Sequence, residues 1–487
     1  MRTRENERNE AEEQDLDAFQ KQHEFHGRLV MVGFGCIGQG VLPLLLRHID
    51  MPPQQILVVS PDDGDLVIAG SRGVPCLIAS LNLDNFRSVL EPRLGPGDFL
   101  LNLSVNVSSI ALIKMCQAMG VLYLDTCIEP WAGGYVDPAL SIAGRTNYAL
   151  REAALALRHK DAAAPTAVLT HGANPGLVSH FLKQALLNIA RHNGLRVERP
   201  GSRLAWAHLA EQLHIRAIHI AERDTQTGAR RRLPGEFVNT WSVEAFVDEA
   251  CQPAELGWGS HERHFPPDAA RHDAGCRASI YLNRPGAGTR VRTWAPLSGP
   301  THGFLITHSE SISIADYFTL GEGPNPRYRP TVHYAYHPSD DAVLSLHELA
   351  GRNWRPQDHE RLLKEEITSG MDELGVLLMG HPSGAYWYGS QLSIEQARAL
   401  CPHNSATSLQ VTAAVLAGVV WAMKNPARGV LEPDEIPFDE ILTICQSYLG
   451  NVVGVYTDWT PLTGRDNLFA EDLDRDDPWQ FKNIRVT

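Results

Sequence analysis

Residues 28–40 read Arg-Leu-Val-Met-Val-Gly-Phe-Gly-Cys-Ile-Gly-Gln-Gly, and they constrain the fold more than any other stretch. An apolar run ends at Gly33, and Gly33, Gly35 and Gly38 fall in the spacing G-x-G-x-x-G. Val41 to Leu46 then continue as an apolar helical face. The pattern is strand, tight turn, helix. The first glycine lets the chain leave the strand sharply, the second lets backbone approach a pyrophosphate, and the third lets the helix pack close to the sheet. Free N–H groups and the positive dipole end of the helix face the same point. Gly33, Phe34, Gly35, Cys36, Ile37 and Gly38 are therefore candidates for holding a dinucleotide.

Ile56 to Val59 form a second apolar run at the distance of a βαβ unit. It ends in Ser60, where such folds usually carry an acidic residue for the adenosine ribose. Asp62 and Asp63 follow, and either reaches the ribose from the loop, although a solvated acidic turn is the plainer alternative. No Lys or Arg lies at 60–65 to receive a 2′-phosphate, which favours NAD over NADP. Buried-strand runs recur at 74–78, 98–103, 121–126 and 166–170, with helical periodicity between them, as at 108–119. The alternation predicts an α/β fold with a doubly wound, parallel Rossmann-type sheet whose ligands sit at the carboxyl ends of the strands. Polar residues cluster at those ends: Asn102 and Ser104, then Asp125, Thr126 and Glu129, then Asn174 ahead of a helix expected at 178–189.

The chain has 487 residues, 43% of them hydrophobic, enough for about two to four domains. A formal charge of −14 argues against a nucleic-acid partner and suits a cationic ligand. The eight cysteines form no C-x-x-C pair, so neither a disulfide framework nor a zinc ribbon is indicated, and a reducing cytoplasm fits. Residues 1–26 carry no apolar signal core and are expected to be a disordered tail. The longest apolar run, 411–423, is judged too short to span a membrane. Residues 27–175 are expected to form the nucleotide domain. Residues 176–385, where aromatic and polar residues alternate in strand-like pieces such as 278–282, are expected to form a second, α+β domain with an antiparallel sheet. A strongly apolar helix is expected from about 406 to 424.

If 238–250 is helical, Trp241, Glu244, Val247 and Asp248 share a face, with Glu249 just beyond. A solvated acidic helix face is the bland alternative. His308 and Glu310 alternate on a strand-like run and face one side. His261, His264, His272 and Cys276, or His333 and His337, are spaced as metal ligands could be, but nothing supplies the acidic base of H-E-x-x-H, and no metal is expected.

Several longer stretches carry a resemblance. They are the glycine turn, Asn102-Leu-Ser-Val105, Tyr123-Leu-Asp-Thr126 with Glu129-Pro-Trp131, and Gly172-Ala-Asn-Pro-Gly176. Later come His219-Ile-Ala-Glu-Arg-Asp-Thr225, Phe237-Val-Asn-Thr-Trp-Ser-Val-Glu244 and Pro253-Ala-Glu-Leu-Gly-Trp-Gly259, then Thr307-His-Ser-Glu-Ser-Ile-Ser-Ile314 and Tyr386-Trp-Tyr-Gly-Ser-Gln391. In this order, from about residue 27 to the end, the chain resembles the saccharopine-dehydrogenase-like superfamily and, within it, the bacterial homospermidine synthases. The resemblance implies a cytoplasmic transferase of polyamine biosynthesis, a homodimer, that joins two putrescine molecules into sym-homospermidine through imines. NAD would act as a prosthetic redox group, with spermidine left open as a second aminobutyl donor. It implies Glu129, Glu222, Glu249 and Glu310 around the diamine, Trp241 as a cation–π face, Asn174 orienting amine or nicotinamide, and His308 relaying protons. It also implies that residues of about 386–487 return to the nucleotide domain. Two alternatives stay open. A saccharopine- or carboxynorspermidine-type dehydrogenase would need clustered Arg or Lys for a carboxylate, and Arg223 is the main residue of that kind. A non-catalytic NAD-binding sensor would need no array of Glu and Trp.

Overall fold

The computed structural model describes residues 20–486 apart from 65, 138, 159–163, 324 and 466. Most of the expected N-terminal tail thus lies outside the described residues. Its last part is ordered, however: His23–Glu24 pairs in parallel with Ile49–Asp50, and the Phe25 ring is buried.

Leu29–Val32 (β1) is wholly buried, the chain turns at Gly33, and Cys36–His48 (α1) follows. Gly33 has a φ of +91°, and a Cβ there would lie 2.7 Å from the backbone of Leu103 and Ser104, so only glycine fits. Ile56–Ser60 (β2), Cys76–Ile78 (β3), Phe99–Asn102 (β4), Leu122–Asp125 (β5) and Ala167–Val168 (β6) join β1 in one parallel sheet. Its order is β6-β5-β4-β1-β2-β3, with Val430–Leu431 outside β6. Ser109–Met119 (α2), capped by the Ser108 side chain, follows β4, and Leu177–His192 (α3) follows β6. Because β1 lies between β4 and β2, the strand order reverses there. The crevice outside the ends of β1 and β4 is where such sheets take ligands.

The second sheet is mixed rather than antiparallel throughout. Ala217–Asp224 (β7), Pro253–Gly257 (β8), Ser279–Pro285 (β9), Thr331–His337 (β10), Met371–Met379 (β11), Ala385–Ser393 (β12) and Asn451–Thr457 (β13) lie in the order β9-β8-β10-β7-β11-β12-β13. All neighbours along this path are antiparallel except β7 and β10, which run parallel. The connection between those two carries Val243–Cys251 (α4) and Glu310–Tyr317 (α5), and a long helical crossover is what a parallel pairing requires. Alternation of residue types reports a strand's two faces and is silent on its direction, so the sequence could not show this.

Ala406–Lys424 (α6) has the expected bounds and lies between the sheets, against α1 and β5 on one side and β11 on the other. Contrary to the sequence expectation, by length and composition it could cross a membrane, with a mean hydropathy of 1.6. Within the fold, 94% of that window is buried, as befits a helix apolar on all sides. The C-terminal segment divides between the two sheets. Residues 430–431 extend the parallel sheet, whereas β12, β13 and residues 485–486 belong to the mixed one.

Candidate active site

A cavity of about 870 Å³ opens at the carboxyl ends of the parallel strands and reaches the mixed sheet. Gly33 to Ile37 form one wall. Nothing lies within 4 Å of the position a Gly35 Cβ would take, so there is open space over the turn where α1 presents its first N–H groups. Gly38 does not line the cavity. A Cβ there would sit 2.7 Å from the Gly33 carbonyl oxygen, which is the close helix–strand contact assigned to the third glycine. Ser60 and Asp62 line the end of β2, and Asp62 also accepts the Gly64 N–H at 3.2 Å. Ser104 and Thr126 line the far side.

Asn102 and Asp125, both expected at the cofactor, do not reach the cavity. Asn102 Oδ1 accepts the Ser104 hydroxyl at 2.6 Å, and Asn102 Nδ2 donates to the Tyr123 hydroxyl at 3.3 Å. Asp125 accepts the Thr170 N–H at 2.6 Å and the Tyr123 hydroxyl at 2.8 Å. Buried at strand ends, the two hold the loops whose neighbours, Ser104 and Thr126, form the wall.

The inner end is built on β7 and β10. Glu222 Oε2 accepts Asn174 Nδ2 at 3.0 Å and the Tyr334 hydroxyl at 2.5 Å. Burial pushes the Glu222 carboxyl up to about 7, against the pull of the Tyr334 hydroxyl and with help from the nearby Asp224 charge. His308 Nδ1 lies 3.2 Å from Glu310 Oε1, and His308 Nε2 lies 3.0 Å from Glu249 Oε2. Burial alone would lower the His308 pKa. The carboxylates Glu310 and Glu249 outweigh it and hold the imidazolium well above its ordinary range. The expected strand at 308–310 is absent: residues 305–308 are irregular and Glu310 opens α5. The pair meets all the same, with Glu310 behind His308 and outside the cavity lining.

The helix expected over 238–250 starts only at Val243, because Glu236–Asn239 is a strand paired with His359–Leu362. Trp241 therefore sits on the connection before α4 and not on the helical face it was expected to share with Glu244 and Asp248. Its ring lines the cavity, and its indole N–H donates to the Tyr336 hydroxyl at 3.2 Å. Across the mouth, Glu129 accepts the Asn106 N–H at 3.3 Å, and burial pushes its carboxyl up to about 7. Asn106 Nδ2 donates to Glu244 at 2.7 Å.

Six carboxylates line the cavity: Asp62, Glu129, Glu222, Glu244, Glu249 and Glu360. Among the described residues, no Lys or Arg does. Arg223 turns away to the Pro338 carbonyl and Asp340. The candidate metal ligands are dispersed: His264 bonds Asp474, His272 stacks on Tyr148, Cys276 meets Arg151, and His333 packs on His219. Among the described residues, no three His, Cys, Asp or Glu side chains are grouped to hold a metal ion.

Sequence reading missed Asn106, Glu360, Tyr334 and Tyr336. The tyrosines did leave a signal. In His333-Tyr-Ala-Tyr-His337 the period of two puts both tyrosines on the face opposite the histidines, and attention fell on the histidines.

Two family models match in succession. The saccharopine dehydrogenase NADP binding domain matches residues 29–168, and the saccharopine dehydrogenase C-terminal domain matches residues 172–455. The homospermidine synthase of Blastochloris viridis is 52% identical over 468 residues, covering 95% of this chain and 98% of its own. That of Mesorhizobium japonicum is 49% identical over 470 residues, covering 95% and 97%. The crystal structure of the homospermidine synthase from Legionella pneumophila in complex with NAD superposes with a TM-score of 0.89 at 47% identity, covering 95% of this chain and 98% of that one. With identity near one half sustained over almost the whole length, the chain belongs to the homospermidine synthase family of the saccharopine-dehydrogenase-like proteins.

Proposed function

We propose that this chain transfers an aminobutyl group between two putrescine molecules, giving sym-homospermidine and ammonia. The observation that carries this reading is the lining beyond the glycine turn, which is rich in carboxylates, includes the Trp241 indole and is free of Lys and Arg among the described residues. A diammonium substrate needs anions at both ends, whereas a saccharopine-type substrate would need cations for its carboxylates. The glycine turn with open space over Gly35, and Asp62 at the ribose end, fit NAD. Held by the turn from Gly33 to Ile37, with Ser60 and Asp62 toward the ribose, NAD would supply a reversible hydride acceptor, and oxidation of the amine and reduction of the new imine would cancel.

The chain's own groups do the rest. Glu222, oriented by Asn174 and Tyr334, holds the buried ammonium and exchanges its proton. Trp241 places a π face against the cation, at about 0.5–2 kcal/mol. His308, clamped by Glu249 and Glu310, carries protons at the middle of the site, and Glu129 with Glu249 holds the outer amine. The burial of Glu222, Tyr334 and His308 at the inner end limits the access of water and would spare the imine from hydrolysis. We assign the cofactor to residues 27–175 and most of the diamine site to 176–385. A cytoplasmic location is supported by eight cysteines that form no disulfide, and the homodimer follows from the family resemblance.

Purified protein given NAD+ and putrescine is expected to form homospermidine and ammonia without stoichiometric NADH. Absorbance of reduced nicotinamide rising in step with product would identify an ordinary dehydrogenase instead. The matching nucleotide-domain model is named for NADP, yet the end of β2 offers Ser60 and Asp62 and, among the described residues lining the cavity, no cation to a 2′-phosphate. NADP is therefore expected to bind at least about tenfold more weakly than NAD. Calorimetric titration showing equal or tighter NADP binding would sink that expectation.

A further inference from the structure

β10 places two phenols two residues apart on the face turned toward the cavity. The rings of Tyr334 and Tyr336 stack with centroids 5.2 Å apart and planes inclined by 10°. The Tyr334 hydroxyl donates to Glu222, while the Tyr336 hydroxyl accepts the Trp241 indole N–H. Trp241 lines the cavity; Tyr336 is fully buried behind it. We propose that Tyr336 is a positioning residue for diamine binding, its hydroxyl fixing the plane of the Trp241 indole so that a π face looks into the cavity. This rests on reading the cavity as a diamine site.

Trp241 stands on a short connection between a strand and α4 and is only half-buried, so the backbone does not settle how its ring is turned. Phe246 packs against the indole with centroids 5.1 Å apart and planes inclined by 50°, and meets Tyr336 edge-on at 5.6 Å. These contacts tolerate rotation better than a hydrogen bond does. The indole N–H is the ring's only donor, and its preference for a nearly straight bond fixes the torsion that packing leaves loose. Orientation matters because the face of an aromatic ring is negative and its edge positive, so a turned indole would present repulsion to an ammonium group. Donation to an oxygen also leaves the ring slightly richer in electron density. The Tyr336 hydroxyl keeps its proton: burial raises its pKa well above the ordinary phenol range, and the carboxyl groups of Glu222, Asp224 and Asp372 add to the rise.

Tyr336→Phe keeps the stacked ring and removes only the acceptor. Putrescine affinity is measured calorimetrically on NADH-loaded protein, which has no hydride acceptor and leaves the diamine unreacted, for wild type, Tyr336→Phe, Trp241→Phe and the double variant. Tyr336→Phe is expected to weaken binding about 3- to 10-fold, and Trp241→Phe about 2- to 30-fold. The double variant should bind no more weakly than Trp241→Phe alone, since phenylalanine has no N–H to orient. NAD affinity should be the same in all four. Wild-type affinity in Tyr336→Phe, or the same further loss in both backgrounds, would overturn the proposal. Because no turnover is needed, a wild-type protein that binds putrescine but makes no homospermidine would overturn the functional reading alone. Absence of putrescine binding by the wild type would overturn both.

Discussion

Glu222→Gln is expected to lower homospermidine formation by about 100-fold or more while leaving NAD affinity within about twofold. Glutamine fills the same space, and its amide oxygen can still accept from Asn174 and Tyr334. The change therefore removes charge and proton exchange without opening a cavity. Stability separates a catalytic role from a structural one. The folded carboxyl is raised to about 7, above its ordinary value, so its stabilising contribution is complete below the ordinary carboxylate range and is lost as pH rises through 7. At pH 8 the ionised, buried group is a burden, and glutamine relieves it. The melting temperature at pH 8 should thus hold or rise as turnover collapses. Activity within tenfold of wild type, or a lowered melting temperature that tracks the lost activity, would return Glu222 to the structural polar groups.

The parallel sheet and the glycine turn were legible because their signals are local. Gly33 is demanded by a positive φ and by the backbone of Leu103 and Ser104, and apolar runs of four or five residues mark the buried strands β1, β2, β4 and β5. The run at 74–78 misleads: Cys76–Ile78 is the sheet's edge strand, and Cys76 and Ile78 are exposed, because no strand covers its outer side. The bounds of α6 were legible for the same reason, through the strongly apolar stretch that ends at Lys424. Its burial was not, because composition alone cannot distinguish a core helix from a membrane helix. Pairing across distance was the other blind spot. Nothing near residue 217 announces that β7 will run parallel to a strand 114 residues later, from Thr331. Within the site, residue types were easier to identify than contacts. The family pattern brought Glu222, Trp241, His308 and Glu249 together. It could not show that Asn102 and Asp125 spend their polar groups on Ser104, Tyr123 and Thr170, since a polar residue at a strand end serves a ligand or the adjoining loop equally well. Tyr336 matters through a hydrogen bond to a residue 95 positions away, a relation without any local signature.

Putrescine binding to the NADH-loaded protein, which has no hydride acceptor and does not turn over, is expected to tighten by about 10- to 100-fold between pH 6 and pH 8 and to release up to about one proton at pH 7. The empty site holds Glu222 and Glu129 at about 7, raised chiefly by burial, so each is largely protonated at pH 6 and largely ionised at pH 8. The amino groups of the ligand, with pKa values near that of lysine, stay charged throughout. A dication favours the ionised carboxylates, so it lowers their pKa values and expels protons, and each carboxyl contributes up to about tenfold over this range. The other groups around the ligand do not reverse the sign. His308, held well above its ordinary range by Glu310 and Glu249, keeps its charge over most of the interval, and any deprotonation at the upper end would also favour a cation. Asp248, raised to about 6 by burial and by the charges of Glu244, Glu249 and Glu360, adds a smaller effect in the same direction at the lower end. Calorimetry in two buffers of different ionisation enthalpy measures affinity and proton release together. An affinity that stays flat with pH, or protons taken up on binding, would mean that neither Glu222 nor Glu129 meets an ammonium group.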